Sequence, residues 1–257
     1  MEFLKQSYIS TITSITYDSG TLTVSNIINR DVRKQYVSSG YADDSLTSSL
    51  VFDFGSTLPV DRIGLISHNL KEFNVFYDGV TANSIGLTST GDTTTLSYIN
   101  ESESSKYFKF ASTISCQTIT LDMKKTQVAN SEKAVGYMTF SQVNLDFARI
   151  PSAKNYSPVL DPKRVEHRMS DGGVRIHFLA NKYKTKVKFK YISRTFKDSL
   201  RDIYEDLSPF IYTPFGTTTG WDGIHYEALW TGKFDFEKYS DNAQDSGYSG
   251  AMVISET

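Results

Sequence analysis

The residues of this chain whose types could support metal binding are its four histidines, which are His68, His167, His177 and His225. His167 and His177 flank the turn-forming run Ser170–Gly173, so a hairpin could bring them together. A zinc site needs a third ligand and groups that orient the ligands. Because no third ligand is evident, hydrogen-bonded strand histidines are the alternative, and we predict no metal site.

Carboxylates invite a second hypothesis, because glycoside hydrolysis needs two of them facing each other across a sugar. The candidates are Asp53, Asp61, Asp202, Glu205 and Asp206. The last three share the polar face of a predicted helix, where charge normally faces solvent. Separately, Asp43 and Asp44 could supply oxygen ligands to Ca²⁺, although an Asx-turn in a plain loop is the alternative.

Motifs of the common enzyme classes are missing from the sequence. It has no phosphate-binding P-loop, no dinucleotide-binding glycine motif, no zinc-protease motif and no nucleophile elbow. The single cysteine, Cys116, lies in a strand-like run without a neighbouring base, which favours a buried core residue. We therefore predict a protein that is not an enzyme, with no catalytic residue and no cofactor.

The charge balance also argues against general nucleic-acid binding. Lys and Arg number 27 against 29 Asp and Glu, a formal charge of −2, whereas such proteins usually carry a basic excess. The one basic run places five lysines on one face of a strand, because side chains alternate with period two. It indicates a solvated face, a lysine-protected edge strand, or a subunit contact. The candidate contact residues are Lys182, Lys184, Lys186, Lys188 and Lys190.

Aromatic residues near the C-terminus raise the possibility of a sugar-stacking platform. Trp230, Phe234 and Phe236 recur at strand period, however, which favours core packing. Trp221 lies between glycines in the run Thr217–Gly223 and is therefore our further candidate for a subunit contact. The sugar-binding residues, if any, stay unknown at this stage.

The elements that must position these residues are predominantly strands. Residues 1–150 are rich in Thr, Ser, Val, Ile, Tyr and Phe, which suit a pleated surface. Leu50, Phe52 and Phe54 alternate on one face, and short runs of this kind are separated by turn residues. Such spacing predicts a β-sandwich or jelly roll as the first domain.

Three prolines mark a boundary: Pro151, Pro158 and Pro162. Proline cannot donate to a sheet ladder, so we predict a linker over residues 151–164. Residues 165–257 form the second predicted domain, a β-sandwich or barrel with one helix at 195–207. Thr195 is its predicted N-cap, and its apolar stripe ends at Leu207.

The run Ser49–Gly79 (SLVFDFGSTLPVDRIGLISHNLKEFNVFYDG) resembles the discoidin or galactose-binding-like jelly roll. The similar features are an apolar strand that ends in Asp53–Gly55, the phrase Val60–Leu65, and a strand that opens with His68–Leu70. The resemblance implies a module that occurs in carbohydrate-binding proteins and in phage virion proteins. In that family the sugar lies at the rim of the jelly roll.

Residues 165–257 resemble the tail-tube-like fold of tail-tube and distal tail proteins from long-tailed bacteriophages. The similarity rests on a strand pair, the amphipathic helix, the run Pro209–Phe215 (PFIYTPF) and Glu227–Phe236 (EALWTGKFDF). It implies a homo-oligomeric, ring-forming or ring-decorating structural protein of the tail, tail tip, baseplate or collar.

These resemblances together predict a virion protein, assembled in the host cytoplasm, whose partners are other tail proteins. The alternatives are a carbohydrate-binding adhesin or receptor-binding module that contacts a host surface glycan, and a glycan-active enzyme. We predict no nucleic-acid sequence recognition. Because no apolar run approaches about 20 residues and the N-terminus lacks a signal-peptide pattern, we also predict no membrane insertion.

Overall fold

A computed structural model describes residues 2–5, 7–20, 23–28, 34–79, 87–88, 97–98, 105–147, 156–169, 174–215, 226–238 and 247–256. The strands of the first half are β1 (Glu2–Leu4), β2 (Ser14–Tyr17), β3 (Tyr36–Val37), β4 (Ser48–His68), β5 (Leu70–Tyr77), β6 (Leu87–Thr88), β7 (Ser97–Tyr98), β8 (Lys106–Thr126) and β9 (Ala134–Ser141). Those of the second half are β10 (Val143–Asp146), β11 (Tyr156–Arg168), β12 (Val174–Ile192), β13 (Phe210–Thr213), β14 (Tyr226–Trp230), β15 (Asp235–Lys238) and β16 (Tyr248–Glu256). One α-helix, α1, spans Arg194–Asp206, and two short 3-10 helices span Tyr8–Thr11 and Val24–Ile28. The predicted mainly β fold class is thereby confirmed.

The first unit is a jelly-roll-like sandwich built on two long strands. Strands β4 and β8 pair along their length, with register shifts between Asp53 and Leu58 and between Val60 and Arg62. Such shifts bend a strand, so β4 pairs with β2 in its first half and with β9 in its second. Phe52 in the first half lies 5.0 Å from Phe140 of β9 between ring centroids. The sheet therefore folds over one shared core.

This core confirms the alternation predicted for β4, because Leu50, Phe52 and Phe54 are at most 2% exposed. One difference concerns strand length. Short runs separated by turn residues were expected in this region, but Ser48–His68 forms one strand of 21 residues with bulges.

The second unit is a sheet with the strand order β10-β1-β13-β14-β16-β12-β11, with β15 paired to β16. Helix α1 packs against one face, where Leu200 and Ile203 join a core that includes Val187, Phe189 and Met252. Within the described residues the path of strands stays open and does not close into a barrel. No α-helix in this part of the chain is long and apolar enough to cross a membrane.

Helix α1 begins one residue earlier than predicted. Ser193, not Thr195, is the N-cap, and its hydroxyl oxygen accepts a hydrogen bond of 3.1 Å from the Phe196 N–H. Leu207 was expected to extend the apolar stripe. It is instead the left-handed C-cap residue with φ 54° and is 77% exposed.

The N-terminal strand β1 belongs to the second unit, which differs from the predicted first domain of residues 1–150. Phe3 of β1 pairs with Tyr212 of β13, and β10 is the other neighbour of β1. The compact units divide after residue 6 and after residue 144, and Phe215 is also grouped with the jelly-roll unit. The jelly roll is therefore inserted between two adjacent strands of the second unit.

The predicted linker over residues 151–164 is largely a strand. β11 begins at Tyr156 and contains Pro158 and Pro162, which lie opposite Thr185 and Asn181 of β12. β11 is an edge strand, and an edge tolerates proline because one side of it needs no N–H donor. The linker was predicted because proline lacks a backbone N–H donor. The same property is compatible with an edge strand, so it did not distinguish a linker from a sheet edge.

Candidate binding surface

The five lysines of β12 lie along the face of the second sheet opposite α1. Lys184, Lys186, Lys188 and Lys190 are exposed, whereas the intervening Thr185, Val187 and Phe189 are at most 4% exposed. The predicted common face is thus confirmed. The edge-strand interpretation does not hold for Lys184 and Lys186, which have β16 on one side and β11 on the other.

Part of this face forms a groove of about 490 Å³. Its charged lining residues come from β12 and from the segment that leads into and forms β15: Lys186, Lys188, Lys190, Lys233, Asp235 and Glu237. Ser249, Gly250, Ala251 and Val253 of β16 also line it. The lysines of β12 and the charged residues that alternate with Phe234 and Phe236 therefore line one surface together. Their separation in the sequence did not indicate this.

Two glycines permit the approach of β15. A Cβ atom on Gly250 would lie 2.5 Å from the main-chain oxygen of Asp235 and 2.6 Å from the Phe236 ring. A Cβ atom on Gly232 would lie 3.0 Å from Cβ of Val253. Because both contacts are closer than ordinary van der Waals distances, only glycine lets β15 pair with β16 at this register and present its carboxylates to the groove.

The groove combines ammonium donors with carboxylate acceptors. Among the residues that the structure describes, none of its four lysines forms an ion pair. Ser249 Oγ is shielded from solvent and has no hydrogen-bond partner there. Buried polar atoms normally have partners, so this face offers a ligand both donors and acceptors.

Trp221 and His225 lie outside the described residues, as does most of the run Thr217–Gly223. The candidate subunit contact at Trp221 therefore stays a prediction. Trp230, Phe234 and Phe236 instead pack with the buried core, as the strand-period interpretation predicted. Trp230 and Phe234 rings lie 5.7 Å apart between centroids.

The histidines do not converge on a metal site within the described residues. His68 is 3% exposed, and its Nδ1 accepts a hydrogen bond of 3.2 Å from the Leu70 N–H. The hairpin register places His167 opposite Arg175, two residues from His177. No group of three or more His, Cys, Asp or Glu residues in this part of the chain could hold a metal ion.

The candidate glycosidase carboxylates have structural partners. Asp53 Oδ1 accepts a hydrogen bond of 2.7 Å from the Gly55 N–H, and Asp61 Oδ1 accepts one of 3.0 Å from the Val143 N–H. Asp202, Glu205 and Asp206 lie on the exposed side of α1. Their solvated-face interpretation is confirmed.

The loop around Asp43 and Asp44 binds an ammonium group. Lys133 is fully buried, and its Nζ donates hydrogen bonds to the main-chain oxygens of Tyr41 and Asp43, the latter over 2.9 Å. Asp43 Oδ1 accepts from the Ser45 N–H at 2.7 Å, an Asx-turn that lowers the pKa of Asp43. Asp44 Oδ1 accepts from Thr126. The predicted Asx-turn is therefore present at Asp43.

Glu132 also binds the loop between β3 and β4, through its carboxylate. Its carboxylate accepts hydrogen bonds from the Ser38 hydroxyl, the Gly40 N–H at 2.9 Å and the Tyr41 N–H at 3.3 Å. The Ser38 hydrogen bond is the largest cause of a lowered pKa for Glu132. Sequence reasoning missed both Glu132 and Lys133, because neither stands in a recognisable motif.

Cys116 is fully buried, as predicted. Burial, with a smaller contribution from the Asp78 charge, raises the pKa of the Cys116 thiol to about 12. A thiol with so high a pKa stays protonated at neutral pH and is a poor nucleophile.

These observations define a mainly β protein with a jelly-roll-like unit and an open sheet that bears a charged groove. No family model and no curated protein matches the chain. Among solved structures, it is similar to the family 32 carbohydrate-binding module of Clostridium perfringens NanJ in complex with galactose. The identity is 13% and the TM-score 0.42, over 54% of this chain and 99% of that one.

A second similar structure is a Clostridium perfringens module, CpGH89CBM32-5, in complex with GalNAc-β-1,3-galactose. It has 11% identity and a TM-score of 0.40, over 53% of this chain and 99% of that one. A third is chitosan-binding module 1 of a chitosanase/glucanase from Paenibacillus sp. IK-5. It has 9% identity and a TM-score of 0.40, over 52% of this chain and 97% of that one.

Proposed function

We propose that the chain is a non-catalytic binding protein in which the sheet-and-helix unit carries a carbohydrate-binding jelly roll. The observation that carries this proposal is the insertion of the jelly roll between β1 and β10, which are hydrogen-bonded neighbours in one sheet. The chain enters the jelly roll after β1 and leaves it at β10, and the inserted unit has its own core. Such an arrangement separates a binding module from the unit that positions it.

A glycan is the ligand class that the resemblance of Ser49–Gly79 to galactose-binding-like modules supports. The similar structures include complexes with galactose and with GalNAc-β-1,3-galactose and a chitosan-binding module, and these sugars are suitable first probes. Fold alone does not define a ligand, so the sugar-binding residues are left unassigned.

The test uses the full chain on a glycan array, followed by calorimetry with the sugars that give signal. A matched variant replaces residues 7–142 with a short Gly-Ser linker, which can join β1 to β10 because the two strands are adjacent. We expect the full chain to bind a glycan and the variant to lose that binding while circular dichroism shows it folded. Absence of binding across the array, or equal binding by both proteins, would contradict the proposal.

A structural role in a phage tail is the second candidate, and the hairpin β11–β12 favours it. Within the described ranges β16 pairs with β12 from Lys184 onward, so the run Val174–Lys182 has only β11 as a strand partner. A two-stranded ribbon is marginally stable by itself, and contact with a neighbouring subunit would stabilise it. The hairpin β11–β12 and the resemblance of residues 165–257 to tail-tube-like proteins support a homo-oligomeric tail, tail-tip, baseplate or collar component, assembled in the host cytoplasm.

Immunogold electron microscopy of particles from the producing culture tests the tail role. Label at one point of the tail is the expected result. Abundant protein that never labels a particle would reject it, and light scattering over a range of concentrations shows separately whether the chain forms an oligomer.

A further inference from the structure

We infer that the groove on the second sheet binds a short stretch of acidic glycan, with the anionic group on the lysines and sugar hydroxyls on the carboxylates. This site belongs to the sheet-and-helix unit and does not depend on whether the jelly roll binds sugar. The residues that carry it are Lys186, Lys188, Lys190, Lys233, Asp235 and Glu237.

The lysines form a regular row along the groove. Alternate residues of a strand are about 6.6 Å apart, so Lys186, Lys188 and Lys190 present three ammonium groups along one line. Their strand is held on both sides by β11 and β16, at least from Lys184 to Val187. Lys186 is paired on both sides and Lys188 is paired with Ala251 of β16, so the backbone that carries these two lysines is held in place, which preorganises them for a carboxylate-bearing or sulfate-bearing chain.

The groups are available to a ligand. No ion pair involving these lysines occurs within the described ranges, and the side chains of Lys186, Lys188, Lys190 and Lys233 are exposed. The groove is open to solvent, and its volume of about 490 Å³ lies in the range of small-molecule sites. Ligand oxygens would therefore gain hydrogen bonds without breaking existing ones.

The two carboxylates decide which polyanion fits. Asp235 and Glu237 repel a ligand whose charges are densely spaced, such as nucleic acid. Single-stranded nucleic acid also needs exposed aromatic rings for stacking, but Phe189 is only 3% exposed. A sugar chain has separated anionic groups and many hydroxyl donors, so it matches both the lysines and the carboxylates.

The first experiment titrates the full chain with tri-galacturonate and with a neutral galactose trisaccharide, using calorimetry at low salt. Lys188→Gln removes the central ammonium group of the groove. Lys182→Gln is the matched control, because Lys182 lies on the same strand and face but does not line the groove. We expect about tenfold weaker tri-galacturonate binding for Lys188→Gln, from one lost charge-assisted hydrogen bond, and little change for the control.

Equal losses in Lys188→Gln and Lys182→Gln would show diffuse electrostatic attraction and overturn the inference. So would equal affinity for the acidic and the neutral trisaccharide. The variant that lacks the jelly roll should keep its tri-galacturonate affinity, which separates failure of this site from failure of the jelly-roll proposal.

The second experiment tests the carboxylates with the double variant Asp235→Asn, Glu237→Gln. Loss of hydroxyl acceptors should weaken tri-galacturonate binding several-fold, whereas oligothymidylate and poly-glutamate peptide should bind the variant better than the native chain. Tighter tri-galacturonate binding by the variant would overturn the inference. Stronger binding of oligothymidylate or poly-glutamate than of tri-galacturonate by the native chain would do the same.

Discussion

The Lys133 ammonium nitrogen lies 2.9 Å from the main-chain carbonyl oxygen of Asp43 and donates a hydrogen bond to it. A second hydrogen bond from the same nitrogen reaches the Tyr41 carbonyl oxygen. A fully buried lysine thus holds the loop that connects β3 to β4.

Lys133→Met should lower the free energy of unfolding of the jelly-roll unit by about 2–4 kcal/mol, because two loop carbonyls lose a charged donor. Urea denaturation measures this. Lys125→Met is the control: its side chain is 51% exposed and pairs with Glu72 at 2.7 Å, so about 1 kcal/mol or less is expected. Similar losses for both variants would argue against the buried role of Lys133.

Glu132→Gln should change the acid stability of the jelly-roll unit. The pKa of Glu132 is lowered in the folded protein, chiefly by the Ser38 hydrogen bond. Its stabilising contribution is therefore fully present above the unfolded pKa of about 4.3 and is lost as the pH falls through the lower folded pKa. Thermal melts at pH 7 and between pH 5 and 2.5 test this: the native chain should lose more stability on acidification than the variant. Equal slopes would refute it.

How far the sequence predicts the fold depends on the range of the interactions. Alternation in Leu50–Phe54 and in Lys182–Lys190 was enough to place those side chains on the correct faces, because period two is a local property of a strand. The membership of β1 in the second sheet was not predictable from Glu2–Leu4. A run of three residues does not indicate which distant strand it pairs with, here Ile211–Thr213.

The same limit applies to the groove. Lys188 and Asp235 are far apart in sequence, and only the pairing of β12 and β15 with β16 brings them to one surface. Gly250 permits that pairing, yet a single glycine in a strand predicts a bulge as readily as a close approach. Residues that are brought together by such long-range strand pairings can be identified only from the structure.

Ser193→Ala should destabilise the second unit by about 1 kcal/mol, because the hydroxyl oxygen that caps the Phe196 N–H is lost. Thr195→Ala is the informative comparison, since Thr195 follows the cap and is exposed; a change within about 0.5 kcal/mol is expected. Denaturant titration followed by helix-sensitive circular dichroism distinguishes them. A larger loss for Thr195→Ala would restore it as the cap.

Phe3→Ala should weaken the second unit while leaving the jelly roll intact. Phe3 is fully buried and its ring lies 5.3 Å from that of Tyr212 and 6.1 Å from that of Phe210, between centroids. Loss of such a ring costs about 3–5 kcal/mol. Hydrogen exchange measured by mass spectrometry should show faster exchange in β13 and β14 only.

The reciprocal variant is Phe54→Ala. In the native chain the Phe54 ring packs against Phe140 in the jelly-roll core, with 5.3 Å between ring centroids. It should accelerate exchange in β4 and β9 and spare β13. If Phe3→Ala accelerated exchange equally in both units, the assignment of β1 to the second sheet would be wrong.

The pairing of β1 with β13 sets an order of events during synthesis. Residues Glu2 and Thr213, which are hydrogen-bonded in the folded protein, are 211 positions apart. At about 5–20 residues per second, a ribosome needs roughly 10–40 s to deliver the partner strand. The inserted jelly roll can fold within that interval, whereas the carrier sheet has to wait for nearly the whole chain. Premature termination should therefore leave a folded jelly roll joined to an N-terminal strand that lacks its partner β13, which marks such products for proteolysis or aggregation.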